Sequence, residues 1–138
     1  SFLDDAAVGD DIIGKCSDLF KFRGEYPIAF IAIGDNSLRK KYAALLREYH
    51  FLIPSIVSPA ANISPGAVLG DGVVILPMAR VGEASIGDFS IIASNGVVSS
   101  GARVGSFSHI DCGAIVQQRA HVKESTWVRS GEIYGDKL

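Results

Sequence analysis

The chain of 138 residues is 48% hydrophobic and 20% charged, with 13 Lys+Arg against 15 Asp+Glu and a formal charge of −2. That is the size of one ordinary domain, or of two small ones sharing a core, and the apolar content excludes a disordered chain. Charge is nearly balanced and forms no long basic run, so neither nucleic acid nor an anionic membrane is expected as a partner. Cys16 and Cys112 lie far apart without metal-ligand spacing, which excludes a disulfide framework and structural zinc and fits a reducing, cytoplasmic location. No apolar stretch reaches the length of a spanning helix, and Asp4 and Asp5 follow Ser1 too closely for a signal peptide.

In chain order, Pro27 to Ile33 (PIAFIAI) reads as a buried strand, Gly34-Asp35 as a turn, and Asn36 as the N-cap of a helix running to about Tyr49. Leu38, Tyr42, Leu45, Leu46 and Tyr49 follow helical spacing and form its apolar stripe. Arg39, Lys40, Lys41, Arg47 and Glu48 fall largely off that stripe and read as a solvated face. A strand, a tight turn and a helix N-terminus also present free amides that favour an anion. With no GxGxxG loop in residues 1–50, phosphate binding at Gly34, Asp35 and Asn36 and a simple capped turn stand as alternative readings.

From Val57 onward a repeat dominates. Branched aliphatic residues recur every six positions at Val57, Ile63, Leu69, Ile75 and Val81. After one five-residue step they resume at Ile86, Ile92, Val98, Val104, Ile110, Val116, Val122 and Val128. Two positions before each stands a small side chain, such as Ala61, Ala79, Ser90, Ala102 and Ser108, with Val73 the larger exception. A helix would scatter such positions around its surface, whereas a short strand plus a corner returns each to the core. The spacing predicts a three-sided β-solenoid of about eighteen residues per coil, roughly four coils and on the order of 20 Å tall at ~4.8 Å per coil. Glycines after the aliphatic position, at Gly70, Gly82, Gly87 and Gly105, are expected to supply positive φ at the corners. Outward apolar residues, among them Ile56, Leu76, Phe89, Phe107 and Trp127, call for a partner surface or for cover by the N-terminal cap or the tail. Residues 129–138 are expected to close the last coil.

The hexads resemble those of the hexapeptide-repeat acyltransferases. With FLDD at Phe2 to Asp5, IAIGDN at Ile31 to Asn36 and the IPSIVSPAANISPGAVLGDGVVI segment, the whole chain is similar to the enzymes that acetylate sialic acid or UDP-4-amino-sugars. The resemblance implies a mainly β protein. Residues 53–138 would form a left-handed parallel β-helix acyltransferase domain. Residues 1–52 would form a partial Rossmann-like α/β unit, without the glycine-rich opening strand that precedes FLDD in the family. It also implies acetyl-CoA as co-substrate, a nucleotide sugar as acceptor held at Asp5, Gly34, Asp35 and Asn36, and a homotrimer with active sites between neighbouring prisms.

Acetyl transfer needs a base, a donor for the tetrahedral oxyanion and a groove for the pantetheine arm. Aligned through Gly105 of Val104-Gly105-Ser106-Phe107-Ser108-His109-Ile110, the family's catalytic histidine falls on Ser100, with Ser99 and Gly101 in place of its acidic neighbours. A serine hydroxyl is no useful base near pH 7. The resemblance puts His109 at the acetyl-CoA end of the cleft, with a surface or interface histidine satisfied by water or backbone as the other reading, and puts Asp111 at a polar contact to CoA and the Gln118 main-chain amide at the thioester oxygen. Gln117 and Gln118 replace a glycine pair and would narrow the tunnel. His50 and His121 are expected on the surface, and no metal site is expected. Two functions follow: transfer of acetyl from acetyl-CoA to an amine or hydroxyl of a sugar in glycan or surface polysaccharide synthesis, with His109 taking over as base or assisting, or a trimeric scaffold that has lost catalysis.

Overall fold

The aliphatic side chains of the repeat from Ile63 to Val128 turn into one core, which runs as a single apolar column through the molecule. The structure is a computed structural model and describes residues 1–135. Fourteen two-residue strands, from Ile56–Val57 to Ile133–Tyr134, pair in parallel and form three faces. The first face stacks Ile56–Val57, Val74–Ile75, Ile91–Ile92, His109–Ile110 and Trp127–Val128. The second stacks Asn62–Ile63, Arg80–Val81, Val97–Val98, Ile115–Val116 and Ile133–Tyr134. The third stacks Val68–Leu69, Ser85–Ile86, Arg103–Val104 and His121–Val122. Each coil buries its aliphatics on the coil below, and each buried Val or Ile contributes about 1.5–3 kcal/mol. Val57, which starts the series, remains 41% exposed. Tyr134 continues the series past Val128, pairing with Val116 and packing on the core, so residues 129–135 extend the last coil, while residues 136–138 of the expected closure lie outside the described residues.

The five-residue step has a local cause. Ordinary corners close when an amide donates to the carbonyl three residues back, as from Ala61 to Ser58 and from Ala79 to Leu76. Between Val81 and Ile86 the Ala84 amide instead donates to Gly82, at 2.8 Å, which shortens the corner by one residue and leaves the pairing on both sides in register. Serines at the small positions serve the corners in another way. Ser90 and Ser108 are buried, and each hydroxyl donates to a carbonyl, Gly105 and Lys123 respectively, while accepting an amide of the next coil.

Positive φ falls elsewhere than the sequence suggests. It occurs one residue before the small position, at Gly72, Met78, Phe89, Asn95, Gly101, Phe107, Gly113, Arg119 and Ser125, where a type II-like corner needs it. Gly70, Gly82, Gly87 and Gly105 do not have positive φ. They are small for a different reason: a Cβ on Gly105 would stand 2.5 Å from the Glu124 amide nitrogen, and one on Gly87 would stand 2.5 Å from that of Ser106. The next coil occupies the space a side chain would need.

Ahead of the solenoid, strand β1 (Phe2–Leu3) pairs in parallel with β2 (Ile12–Gly14), a 3-10 helix spans Cys16–Phe22, and helix α1 spans Asn36–Glu48. PIAFIAI is not a strand: a single parallel bridge joins Ile28 to Leu52, and among the described residues no ladder extends from it. The helix is capped by Asp35, whose carboxylate accepts the Leu38 amide at 2.8 Å, rather than by Asn36, which is its first residue. Of the expected stripe Leu46 is buried and Tyr42 and Leu45 pack against the core, while Leu38 and Tyr49 are exposed and Arg39 and Ala43 are buried instead, so the inward face is turned toward Arg39. The cause is the surface beneath. Phe89 and Phe107 leave their positive-φ corners pointing outward and stack on each other, centroids 5.4 Å apart. Ala43 and Leu46 share a core cluster with Phe89 and Phe107, and the Arg47 guanidinium covers the Phe89 ring. The two outward phenylalanines are thus covered by the N-terminal unit, whereas Leu76, Met78, Trp127 and Ile133 remain exposed.

Candidate functional site

Arg39 builds the site. Although it carries a charge, only 1% of it is exposed. Its Nε donates to the Phe89 carbonyl at 2.7 Å, Nη1 donates to the Ile33 and Gly34 carbonyls, and Nη2 donates to Asn36 Oδ1 and the Phe107 and Ser108 carbonyls. Five carbonyls and one side-chain amide thus hold a guanidinium that makes no ion pair with a carboxylate among the described residues. The planar fork suits this task, since it presents five N–H groups in fixed directions. Burial lowers the Arg39 pKa, and nearby Asp35 opposes that shift. Arg39 is therefore not part of a solvated face, as its charge suggested: the side chain clamps the 33–36 turn onto two coils of the solenoid.

That clamp brings the turn to His109. The imidazole projects from the first face and is only 14% exposed, its Nδ1 buried without a hydrogen-bond partner and its Nε2 4.0 Å from Asp111 Oδ1. Burial lowers the His109 pKa below the ordinary 6.5, with Arg39 acting in the same direction and Asp111 and the Gly34 backbone opposing. The Gly34 backbone favours a proton on the ring, yet makes no well-formed bond to Nδ1. Asp111 Oδ1 accepts the Cys112 amide at 2.7 Å, and its Oδ2 accepts Trp127 Nε1 at 3.1 Å. Those donors hold the carboxyl below the usual carboxylate range. The Trp127 ring stacks on the imidazole, centroids 5.4 Å apart and planes 2° apart.

The remaining expected residues have definite places. Asn36 donates from Nδ2 to the Ser125 carbonyl at 3.2 Å, so Asp35 and Asn36 contribute side chains to capping and docking. Asp5 accepts the Cys16 amide and the Tyr42 hydroxyl, tying β1 to the 3-10 helix and α1. An open groove of about 410 Å³ beside it is lined by residues 4–9, 12–15 and Asp18. Ser100 and Gln118 are exposed and lie eighteen residues apart on one corner, where the Arg119 amide donates to the Ser100 carbonyl. Ser100 Oγ accepts the Glu83 amide at 3.2 Å. Within one chain, therefore, His109 and Asp111 come together with Gly34, while Ser100 and Gln118 mark a different edge. Cys16 and Cys112 are unpaired, and among the described residues no three His, Cys, Asp or Glu side chains gather as a metal site. No helix among the described residues is long and apolar enough to cross a membrane.

No protein-family profile matches the chain. Solved structures do. PerB from Caulobacter crescentus, in complex with CoA and GDP-perosamine, is 25% identical over 99% of this chain and 76% of its own, with a TM-score of 0.80. A histidine variant of perosamine N-acetyltransferase from the same organism, also with CoA and GDP-perosamine, gives 25% identity, 98% and 74% coverage and a TM-score of 0.78. The acetyltransferase domain of PglB from Neisseria gonorrhoeae, with acetyl coenzyme A, gives 24% identity, 94% and 75% coverage and a TM-score of 0.67. The chain has the fold of the hexapeptide-repeat sugar acetyltransferases. Its solenoid is their left-handed parallel β-helix.

Sequence reasoning missed the roles of Arg39 and Trp127. For Trp127 a signal existed: it lies eighteen residues after His109, one coil further along the same face, and the two are register partners. For Arg39, helical spacing to Ala43 and Leu46 was visible, but its charge argued for solvent. The geometry also fixes a response to acid. His109 has a folded pKa below its unfolded value, so the unfolded chain binds more protons in the interval between them, and stability falls as pH drops from 6.5 toward the lowered value. Asp111, lowered from 3.8, adds a further loss at more acid pH, as it is protonated. Urea unfolding is expected to show a lower midpoint at about pH 5.5 than at about pH 7.5, and His109→Gln is expected to reduce that difference.

Proposed function

We propose that this protein transfers acetyl from acetyl-CoA to an amine or hydroxyl of a nucleotide-linked sugar. One observation carries the reading: the 33–36 turn is clamped against His109, beside Asp111, in a chain folded like enzymes crystallised with CoA and GDP-perosamine. The acceptor nitrogen or oxygen attacks the thioester carbonyl while its proton passes to His109. The tetrahedral intermediate collapses, the C–S bond breaks, and the departing thiolate takes the proton back, giving amide or ester plus CoA. A ring kept neutral by burial is in the form a base requires, and Asp111 beside Nε2 stabilises the imidazolium that forms. In this reading His109 and Asp111 contact the acyl donor and the Gln118 amide donates to the thioester oxygen. Asp5, Gly34, Asp35 and Asn36 border the acceptor through their backbone and the adjoining groove.

The active assembly in this reading is a cytoplasmic homotrimer, with residues 1–52 as acceptor unit and 53–138 as β-helix. Exposed Leu76, Met78 and Ile133 support a covered face. The shared cleft would carry the Ser100–Gln118 edge of one prism toward His109 of the next, with the product entering surface polysaccharide or glycan synthesis.

The alternative is a trimeric scaffold without catalysis, and Ser100 favours it: the hydroxyl in place of the family's histidine is engaged by the Glu83 amide. Calorimetry with acetyl-CoA, followed by thiol release with nucleotide-linked 4-amino sugars, separates the two. Binding at micromolar to millimolar strength with acceptor-dependent thiol release is expected. Absence of both on the trimer leaves the scaffold. Acetylation gained only in Ser100→His would mean an intact cleft that lacks its base.

A further inference from the structure

Trp127 ends the first face. Its strand pairs on one side with His109–Ile110, so one side of the indole lies on the imidazole, while the Arg129 guanidinium covers the ring at 4.1 Å. The same indole donates from Nε1 to Asp111 Oδ2, and the Asp111 amide donates to the Val128 carbonyl. Ring, carboxylate and strand are thereby tied at three points, and among the described residues the His109 ring has no hydrogen bond of its own to fix it, since Nδ1 is unpartnered and Nε2 is 4.0 Å from Asp111.

We propose that Trp127 is a positioning residue for the His109–Asp111 pair, its indole face setting the plane of the imidazole and its Nε1 setting the carboxylate. This rests on the acetyltransferase reading for its consequence but not for its geometry. An imidazole without fixed hydrogen bonds can turn about its side-chain torsions, and packing against a flat ring is what restricts it. Carboxylate placement matters equally, because the stabilisation of an imidazolium falls as its partner moves away. The charged groups facing His109 are Asp111 from its own strand, Arg39 from α1 and, across the indole, Arg129. Removal of the indole uncovers the ring to water, which relieves the burial that lowers its pKa.

The test uses the full chain and two variants. Trp127→Phe retains a ring over the imidazole but removes the donor, and Trp127→Leu removes both. NMR titration of His109 is expected to show its pKa rising toward 6.5 in Trp127→Leu and staying low in Trp127→Phe, with the Asp111 carboxyl pKa rising in both. Turnover is expected to fall about tenfold in Trp127→Leu, with acceptor KM changed less than kcat. An unchanged His109 titration in Trp127→Leu overturns the proposal, whatever happens to turnover. Absence of transfer by the unsubstituted protein instead overturns the acetyltransferase reading, and the titrations still decide the brace.

Discussion

Arg39→Ala is expected to lower the free energy of unfolding by about 3 kcal/mol, the upper end of the range for hydrogen bonds lost from a charged donor. The substitution leaves the carbonyls of Ile33, Gly34, Phe89, Phe107 and Ser108 facing a space that water reaches poorly, and leaves Asn36 Oδ1 without its donor. Each buried acceptor left unmade costs about 1–3 kcal/mol before the turn and coils relax. Arg39→Lys keeps the charge but loses the planar fork, so it satisfies some acceptors and abandons others; a loss of about 2 kcal/mol is expected. Urea unfolding of the three proteins measures this directly. A loss under about 1 kcal/mol for Arg39→Ala would show that the guanidinium is dispensable to docking. The effect also reaches the site, because the residue that secures Gly34 is the one that holds the turn beside His109.

The solenoid was legible in the sequence because its physics is local and repeated. A side chain six residues from the last either fits the same narrow core or breaks a coil, and that requirement acts on each of the fully buried positions from Ile75 to Val128. What the repeat did not disclose was how each corner is made. Glycine has two uses in such a fold, positive φ and absence of a Cβ, and the residue letter does not separate them. Gly105 serves the second, since Glu124 of the next coil lies where its side chain would stand, while the positive φ of the preceding corner falls on Gly101. Phe107 takes the same backbone conformation at the next corner because its ring gains a stacking partner in Phe89 and the cover of α1, which offsets the strain of a non-glycine residue there.

The N-terminal unit was less legible because its elements answer to distant partners. PIAFIAI has strand composition, but composition cannot supply a neighbouring strand, and among the described residues only Leu52 forms a bridge with it. Asp35 and Asn36 are both good capping residues, and the choice between them follows from where Asn36 is required: its amide spans Arg39 and the Ser125 carbonyl, so Asp35 is left to hold the Leu38 amide. The same long reach hid Arg39 among solvated charges. Half the candidate site was nonetheless readable. His109 and Asp111 were found through a motif, Gly34 to Asn36 through strand, turn and helix order, and the structure joins the two groups through one arginine that carried no catalytic signature.

His109→Ala is expected to lower kcat by about 10²–10⁴, the usual contribution of a positioned general base, while acetyl-CoA binding changes little by comparison. Protonation of the imidazole sets the pH dependence. With its pKa held below 6.5 by burial, His109 is mostly neutral at pH 7, so kcat/KM should show an acid limb centred below 6.5. His109→Gln keeps hydrogen-bonding groups on a side chain that fits much of the same space, but cannot carry the proton. It should therefore lose turnover nearly as severely as the alanine variant while keeping more of the stability. Ser100 sharpens the comparison. If the chain works through His109 alone, Ser100→Ala leaves the acid limb unmoved, because a serine hydroxyl does not titrate in that range. Kinetics of His109→Ala, His109→Gln and Ser100→Ala with acetyl-CoA and a nucleotide-linked amino sugar make the check, and full turnover by His109→Gln would remove His109 from the chemistry and transfer the role of base to a group outside this cluster.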